Sequence, residues 1–196
     1  MSDRKITIIL ATLFMAVAVA AIAAVYVWRE DGGGIARIGG AFTLVDHTGA
    51  ERSEADFRGR HALIYFGYSF CPDVCPTALA DMLIALDELG PDAARVQPLF
   101  ITIDPDRDTP AVLKDYVANF HPRLVGLSGS PDQVSKAARV YRVYYARVED
   151  PEAGENYLMD HSSVIYLMDP DGRYLTHFSH GTAPQTMAKR LRELVS

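Results

Sequence analysis

Hydrophobic and polar positions along this chain of 196 residues change rhythm twice. Residues 6–28 run for 23 positions without a charge, and only Thr7 and Thr12 are conventionally polar. Coiled as a helix the segment spans about 34 Å, enough to cross a hydrocarbon core roughly 30 Å thick. Tyr26 and Trp28 close it at interface depth. A cleaved signal peptide is the alternative, with triplets such as Ala18-Val19-Ala20 as cleavage sites. A signal core usually runs about 7–15 residues, so length favours an uncleaved anchor. Gly32-Gly33-Gly34 and Gly39-Gly40 follow, a flexible tether with too little apolar surface to fold.

From residue 41 the pattern is that of one mixed α/β domain. Residues 41–45 and 50–52 flank Asp46-His47-Thr48-Gly49 and predict a short hairpin. Residues 61–68 (HALIYFGY) and 96–103 (VQPLFITI) are continuous apolar runs, expected of strands buried on both faces. Between them Leu79, Met82, Leu83, Leu86 and Leu89 recur at helical spacing, predicting a helix over 72–89 closed by Gly90-Pro91. Thr109-Pro110 opens a helix to about Phe120, with Thr109 or Asp108 as cap. A short strand at 124–127 and a helix over 131–143 come next. Strands at 162–168 and 173–178 meet across Asp169-Pro170-Asp171-Gly172, and a helix over 184–195 ends the chain. Hairpin, β, α, β, α, β, α, β, β, α is the element order of a thioredoxin-like fold with an N-terminal β-hairpin extension. Here a single transmembrane helix precedes it. The expected organisation is therefore a cytoplasmic N-terminus (1–5), an anchor (6–28), a tether (29–40) and a soluble domain (41–196).

Charge sharpens this division. The mean hydropathy of +0.03 averages an apolar anchor with an ordinary soluble domain. The first 31 residues balance three basic against three acidic groups, so the net charge of −6 belongs to the remainder. An acidic chain without a basic cluster excludes nucleic acid as the expected partner. Arg4 and Lys5 precede the anchor, whereas Arg29 after it is offset by Glu30 and Asp31. The positive-inside rule places the N-terminus in the cytoplasm and the domain outside.

Two cysteines cannot staple a domain of this size, so their value is chemical. Phe70-Cys71-Pro72-Asp73-Val74-Cys75-Pro76 lies between a buried strand and its helix, where open α/β sheets place their sites. Residues four apart on a helical turn share a face, and a helix N-terminus favours thiolate over thiol. Both sulfurs are thus expected to be ionised, adjacent and accessible. Three readings stay open: two small buried residues, a redox dithiol, or a soft-metal clamp needing another ligand. Thioredoxin-type pairs have two intervening residues and this one has three, which counts mildly against a dedicated exchange enzyme.

A third ligand has six histidine candidates. His47 falls in a turn, His61 before a strand and His121 at a helix end, while His177 and His180 form a weak HxxH pattern. His161, in Met159-Asp160-His161-Ser162-Ser163, stands just before the strand of the late hairpin. In a thioredoxin-like sheet that loop faces the N-terminus of the first helix, within reach of Cys71 and Cys75. Two thiolates and an imidazole suit Cu(I), a trigonal or tetragonal set containing them suits Cu(II), and zinc accepts the same donors.

Three separated stretches now point one way: residues 65–76 (YFGYSFCPDVCP), residues 102–110 (TIDPDRDTP) and Asp160-His161-Ser162-Ser163. Over about residues 41–195, together with the anchor, the chain resembles the Sco/SenC family of membrane-anchored copper proteins. That family assists assembly of the copper A centre of cytochrome c oxidase. The resemblance implies that Cys71, Cys75 and His161 bind one copper ion per chain, Cu(I) or Cu(II). It implies delivery to oxidase subunit II, with another copper chaperone as a possible donor, in the bacterial inner membrane with the domain in the periplasm. The chain is thus expected to be a metallochaperone more than an enzyme. The alternative is a thiol–disulfide oxidoreductase that uses Cys71 and Cys75 to reduce subunit II or another exported protein, with a thiol peroxidase a distant third. Asp104, Asp106 and Asp108 invite a hard-metal reading, although turn and cap duty fits Thr109-Pro110 better. Asp73 reads as a helix-N-terminal charge with an outer role at the metal. Met159 reads as filler, with a transient soft-ligand role as the alternative.

Overall fold

The computed structural model describes residues 13–22, 38–148 and 154–195. The chain divides into two compact units, residues 1–36 and residues 37–196. In the first, α1 covers residues 13–22, and large apolar side chains such as Phe14 and Ile22 are exposed on it. Among the described residues no helix is long and apolar enough to cross a membrane. The two ends of the expected 6–28 span, and residues 29–37 of the tether, lie outside the described residues.

The second unit is built on a seven-stranded mixed sheet. Its strands are β1 (Thr43–Asp46), β2 (Glu51–Ser53), β3 (His61–Gly67), β4 (Val96–Thr102), β5 (Val125–Ser128), β8 (Val164–Met168) and β9 (Tyr174–Ser179), in the order β2-β1-β5-β4-β3-β8-β9. Two further strands, β6 (Tyr145–Arg147) and β7 (Met159–His161), form a separate antiparallel ribbon. The helices are α2 (Val74–Asp87), α3 (Pro110–Ala118), α4 (Pro131–Val140) and α5 (Pro184–Val195).

The predicted hairpin forms, and Asp46 explains its turn. Its carboxylate accepts hydrogen bonds from the Thr48 and Ala50 N–H groups and from Arg52 Nε, while Gly49 takes φ +90°. The continuous apolar runs become β3 and β4, which pair in parallel from His61↔Val96 to Gly67↔Thr102 and are buried on both faces. Two successive right-handed crossovers in one direction, β3-α2-β4 and β4-α3-β5, put α2 and α3 on the same face. Side chains agree: Tyr65 packs on Phe100, Phe100 packs on Tyr116 of α3, and Gly126 of β5 gives α3 its close approach. A Cβ at Gly126 would stand 2.9 Å from Val117 Cγ1. α5 packs against α2. The opposite face, through Phe66 and Tyr166, is covered by Tyr141 at the end of α4. This is the expected thioredoxin-like sheet with its extension.

The chain departs from expectation in two places. The helix begun at Pro131 ends at Val140 instead of running to Val143, and Arg142 turns it off with φ 58°. The strand expected over 162–168 starts at Val164, because His161 belongs to the β6–β7 ribbon, paired with Tyr145. Ribbon strands of three residues with mixed polarity leave no period to detect.

Candidate metal centre

β3 delivers Gly67 and Tyr68 to the carboxyl end of the sheet, and residues 69–73 turn into α2. The structure brings Cys71, Cys75 and His161 together there. Cys71 lies ahead of the helix, not on it, and its Sγ accepts the Cys75 N–H at 3.4 Å. Cys75 is in the first turn of α2 and is buried. Its Sγ rests against the bare Cα of Gly67, where an added Cβ would stand 3.0 Å from the sulfur.

His161 Nε2 lies 3.3 Å from Cys75 Sγ, and Nδ1 lies 3.2 Å from the Ser162 carbonyl oxygen. A carbonyl only accepts, so Nδ1 carries the proton and Nε2 presents its lone pair to the sulfur. The ring stands edge-on between Tyr65 and Tyr68, each centroid 6.1 Å away. Burial holds the imidazole below its ordinary pKa, against the pull of the Ser162 carbonyl and Asp160, and keeps it neutral.

The two thiols are unequal, which corrects the expectation of two ionised, accessible sulfurs. Burial pushes Cys75 up to about 12, only partly countered by the Tyr68 N–H. Burial also works to raise Cys71, but the Asp73 and Cys75 N–H groups, with Cys75 and Tyr68 side chains, overcome it and hold the thiol below its usual range. Four residues separate the cysteines, yet one sulfur faces the free N–H groups of a helix start and the other is beneath them.

The same environment tests the donor set. Two sulfurs, one low in pKa, and an imidazole nitrogen with its tautomer already fixed suit a soft ion. Among the described residues, no group of three or more His, Cys, Asp or Glu side chains stands ready to close on a metal. To hold such an ion, this set would have to lose the Cys75 proton and draw its three donors in.

The other sequence candidates have structural work. Asp108 is buried and accepts the Ser69 N–H at 3.0 Å, the Ser69 hydroxyl and Thr102 Oγ1, tying the cysteine loop to β4. Asp104 accepts Arg107 Nε and the Tyr157 hydroxyl, and Thr109 caps α3 through the Val112 N–H. Asp73 is the N-cap of α2 without a side-chain cap bond; its backbone, not its carboxylate, serves Cys71. Met159 is half-buried against the core, and its N–H donates to the Tyr68 hydroxyl. His47 Nδ1 accepts the Gly126 N–H, His121 Nδ1 accepts the Arg123 N–H, and His177 bonds Tyr174. His61 begins β3 at the far end from the cysteines, and His180 follows β9. Sequence reasoning missed Gly67, Tyr65, Tyr68 and the Ser69–Asp108 tie, because each acts through contacts that no spacing encodes.

Known proteins share both the fold and the sequence. A SCO2-like protein of Rickettsia conorii is 42% identical over 156 residues, covering 80% of this chain and 76% of its own. The structure of Bradyrhizobium japonicum ScoI with copper bound matches with a TM-score of 0.73 and 43% identity, covering 80% of this chain and 98% of that one. BsSco, a member of the Sco family of cytochrome c oxidase assembly proteins in which a disulfide switch is identified, matches with a TM-score of 0.63 and 25% identity, covering 81% and 92%. Residues 30–196 match the SCO1/SenC family, and the chain belongs to it.

Proposed function

We propose that this protein is a membrane-anchored copper chaperone that uses Cys71, Cys75 and His161 to hold one copper ion, Cu(I) or Cu(II), and deliver it to the copper A centre of cytochrome c oxidase subunit II. The observation that carries the reading is the 3.3 Å approach of His161 Nε2 to Cys75 Sγ, in a chain where Cys71 Sγ sits on the Cys75 N–H. The copper-bound Bradyrhizobium relative and the oxidase-assembly role of the Sco family support it. Cys71 offers the first thiolate at the surface. Cys75 then gives up its proton, and His161 turns its free nitrogen to complete the set. A partner's thiolates displace these donors stepwise, because the half-buried Cys71 remains reachable from outside. Residues 6–28 act as a single-pass anchor in the bacterial inner membrane, N-terminus in the cytoplasm and domain in the periplasm, and the tether keeps the domain concentrated near its target. Another copper chaperone supplies the ion.

Anaerobic Cu(I) titration of the full chain against a competing chelator tests the site. One equivalent should bind, and His161→Ala should weaken binding at least tenfold while both thiols stay titratable. Unchanged affinity in that variant would overturn the ligand set. A reporter active only outside the cytoplasm, fused after Ser196, should be active; silence would reverse the topology.

One observation favours thiol–disulfide exchange as a second activity. The low-pKa, half-buried Cys71 and the buried, high-pKa Cys75 are arranged as attacking and resolving thiols. Cys71 thiolate attacks a disulfide of subunit II or another exported protein and expels one thiolate. Cys75 then attacks Cys71 Sγ, releasing the second thiol and leaving the Cys71–Cys75 disulfide. Two electrons pass to the substrate, and a membrane-linked dithiol relay must restore them. Trapping a mixed disulfide on Cys71 in Cys75→Ser should succeed with the oxidised subunit II domain; no adduct would remove this activity.

A further inference from the structure

On the sheet face opposite the cysteines lies a cavity of about 210 Å3. Its floor is Ile64, Leu99 and Met168, all buried, and Phe42 and Phe57 form apolar walls. Tyr141 closes it from α4. That side chain is 3% exposed, touches the rings of Phe42, Phe66 and Tyr166, and its hydroxyl has no hydrogen-bond partner among the described residues. Burial, with Glu54 nearby, holds Tyr141 protonated, so it faces the cavity as a donor.

Charges at the mouth are not equivalent. Glu54 is committed to the Phe42 N–H and faces Arg58 at 3.8 Å, while Asp169 and Asp171 are both held by Arg173. Arg60 also lines the opening, is exposed, and has no ion pair among the described residues. The cavity thus presents an apolar body, the tyrosine hydroxyl of Tyr141 and, at its mouth, one cation without an ion pair among the described residues.

We propose that this cavity is a binding site for a small organic acid with an apolar body, such as a medium-chain carboxylate, whose carboxylate lies at Arg60 and the Tyr141 hydroxyl. Octanoate is the probe. Added to the full chain in nanodiscs of neutral lipid, with 13C-labelled methionine methyls, it should shift the Met168 methyl resonance saturably at sub-millimolar to low-millimolar concentration. Arg60→Glu, at an exposed position that the fold tolerates, should raise the dissociation constant at least tenfold. Tyr141→Phe should raise it about threefold or more, and Ala62→Leu, which fills the floor, should abolish the shift. Octylamine should bind more weakly than octanoate. Absence of a saturable Met168 shift, or a dissociation constant unmoved by both Arg60→Glu and Tyr141→Phe, would overturn the proposal. Copper titration of the same samples reports separately on the cysteine site, so the two readings fail independently.

Discussion

Cys75 Sγ and His161 Nε2 meet at 3.3 Å across 86 residues of sequence, with the imidazole proton parked on the Ser162 carbonyl. The nitrogen that faces the sulfur is the one with a lone pair. The backbone next to the histidine thus fixes its tautomer and leaves the free nitrogen turned to the sulfur, the orientation that the proposed ligand role requires.

His161→Ala therefore removes the candidate nitrogen donor, and with it a single side-chain hydrogen bond between α2 and β7. Expected is a loss of the sulfur-to-copper charge-transfer band with Cu(II), while circular dichroism and thermal midpoint stay close to the parent. A retained band of the same intensity contradicts the assignment.

The unequal thiols predict ordered alkylation. With iodoacetamide at pH 7, Cys71 should be labelled at least tenfold faster than Cys75, because it is more accessible and its thiolate forms below the usual thiol range, while Cys75 is pushed up to about 12. Peptide mass spectrometry over time reads the order. Equal rates would mean that Cys75 is neither buried nor protonated.

Gly67→Ala places a methyl 2.9 Å from Tyr65 Cε1 and 3.0 Å from Cys75 Sγ. Overpacking of this kind costs roughly 1–3 kcal/mol. Urea unfolding should show that loss, and Cu(I) affinity should fall with it, since the sulfur is displaced from His161. A stability matching the parent would show that the strand end yields freely.

Asp108 holds the cysteine loop through Ser69 and Thr102 from a buried position. Asp108→Ala leaves those donors unpaired, at roughly 1–3 kcal/mol for each buried group. The midpoint of unfolding should drop sharply, and hydrogen exchange at the Ser69 amide should quicken. Slow exchange in the variant would mean that other contacts fix the loop.

Acid stability should depend on Asp46. Burial works to raise its pKa, but hydrogen bonds from Thr48, Arg52 and the Ala50 N–H hold it well below the carboxylate range. A group depressed on folding adds stability above its unfolded pKa of about 3.9, and that stability is lost as pH falls from there toward the folded value. Asp46→Asn should thus lower stability at pH 6 by more than at pH 2.5, measured by urea midpoints. An equal loss at both would assign the role to the hydrogen bonds alone.

The first candidate-site residues to be legible were the ones with local signals. A continuous apolar run, a break, two cysteines and a helical leucine pattern locate Cys71 and Cys75 without any tertiary information. His161 needed topology: the loop argument located it correctly at the cysteine end, but it placed the residue in a loop. It lies instead in a three-residue ribbon strand too short and too mixed in polarity to show a period. Tyr68 and Asp108 stand in stretches that carry the family resemblance, but their contacts were not legible, because a side chain reaching 39 residues back to Ser69 leaves no trace in spacing.

By itself the sequence determined the order of the main-sheet strands and the helices between them, the two-faced burial of β3 and β4, the apolar segment at residues 6–28 and the family; the β6–β7 ribbon escaped it. These depend on periodicity and local residue chemistry, which are written along the chain. Tertiary structure alone decided that Cys71 is the half-buried thiol held below its usual pKa and Cys75 the buried one pushed above it. Four residues apart, they share the same neighbours in sequence; what separates them is which sulfur faces the free N–H groups of α2 and which lies beneath, against Gly67 and His161. Burial and hydrogen bonding are properties of position in space, and they set the pKa of each thiol.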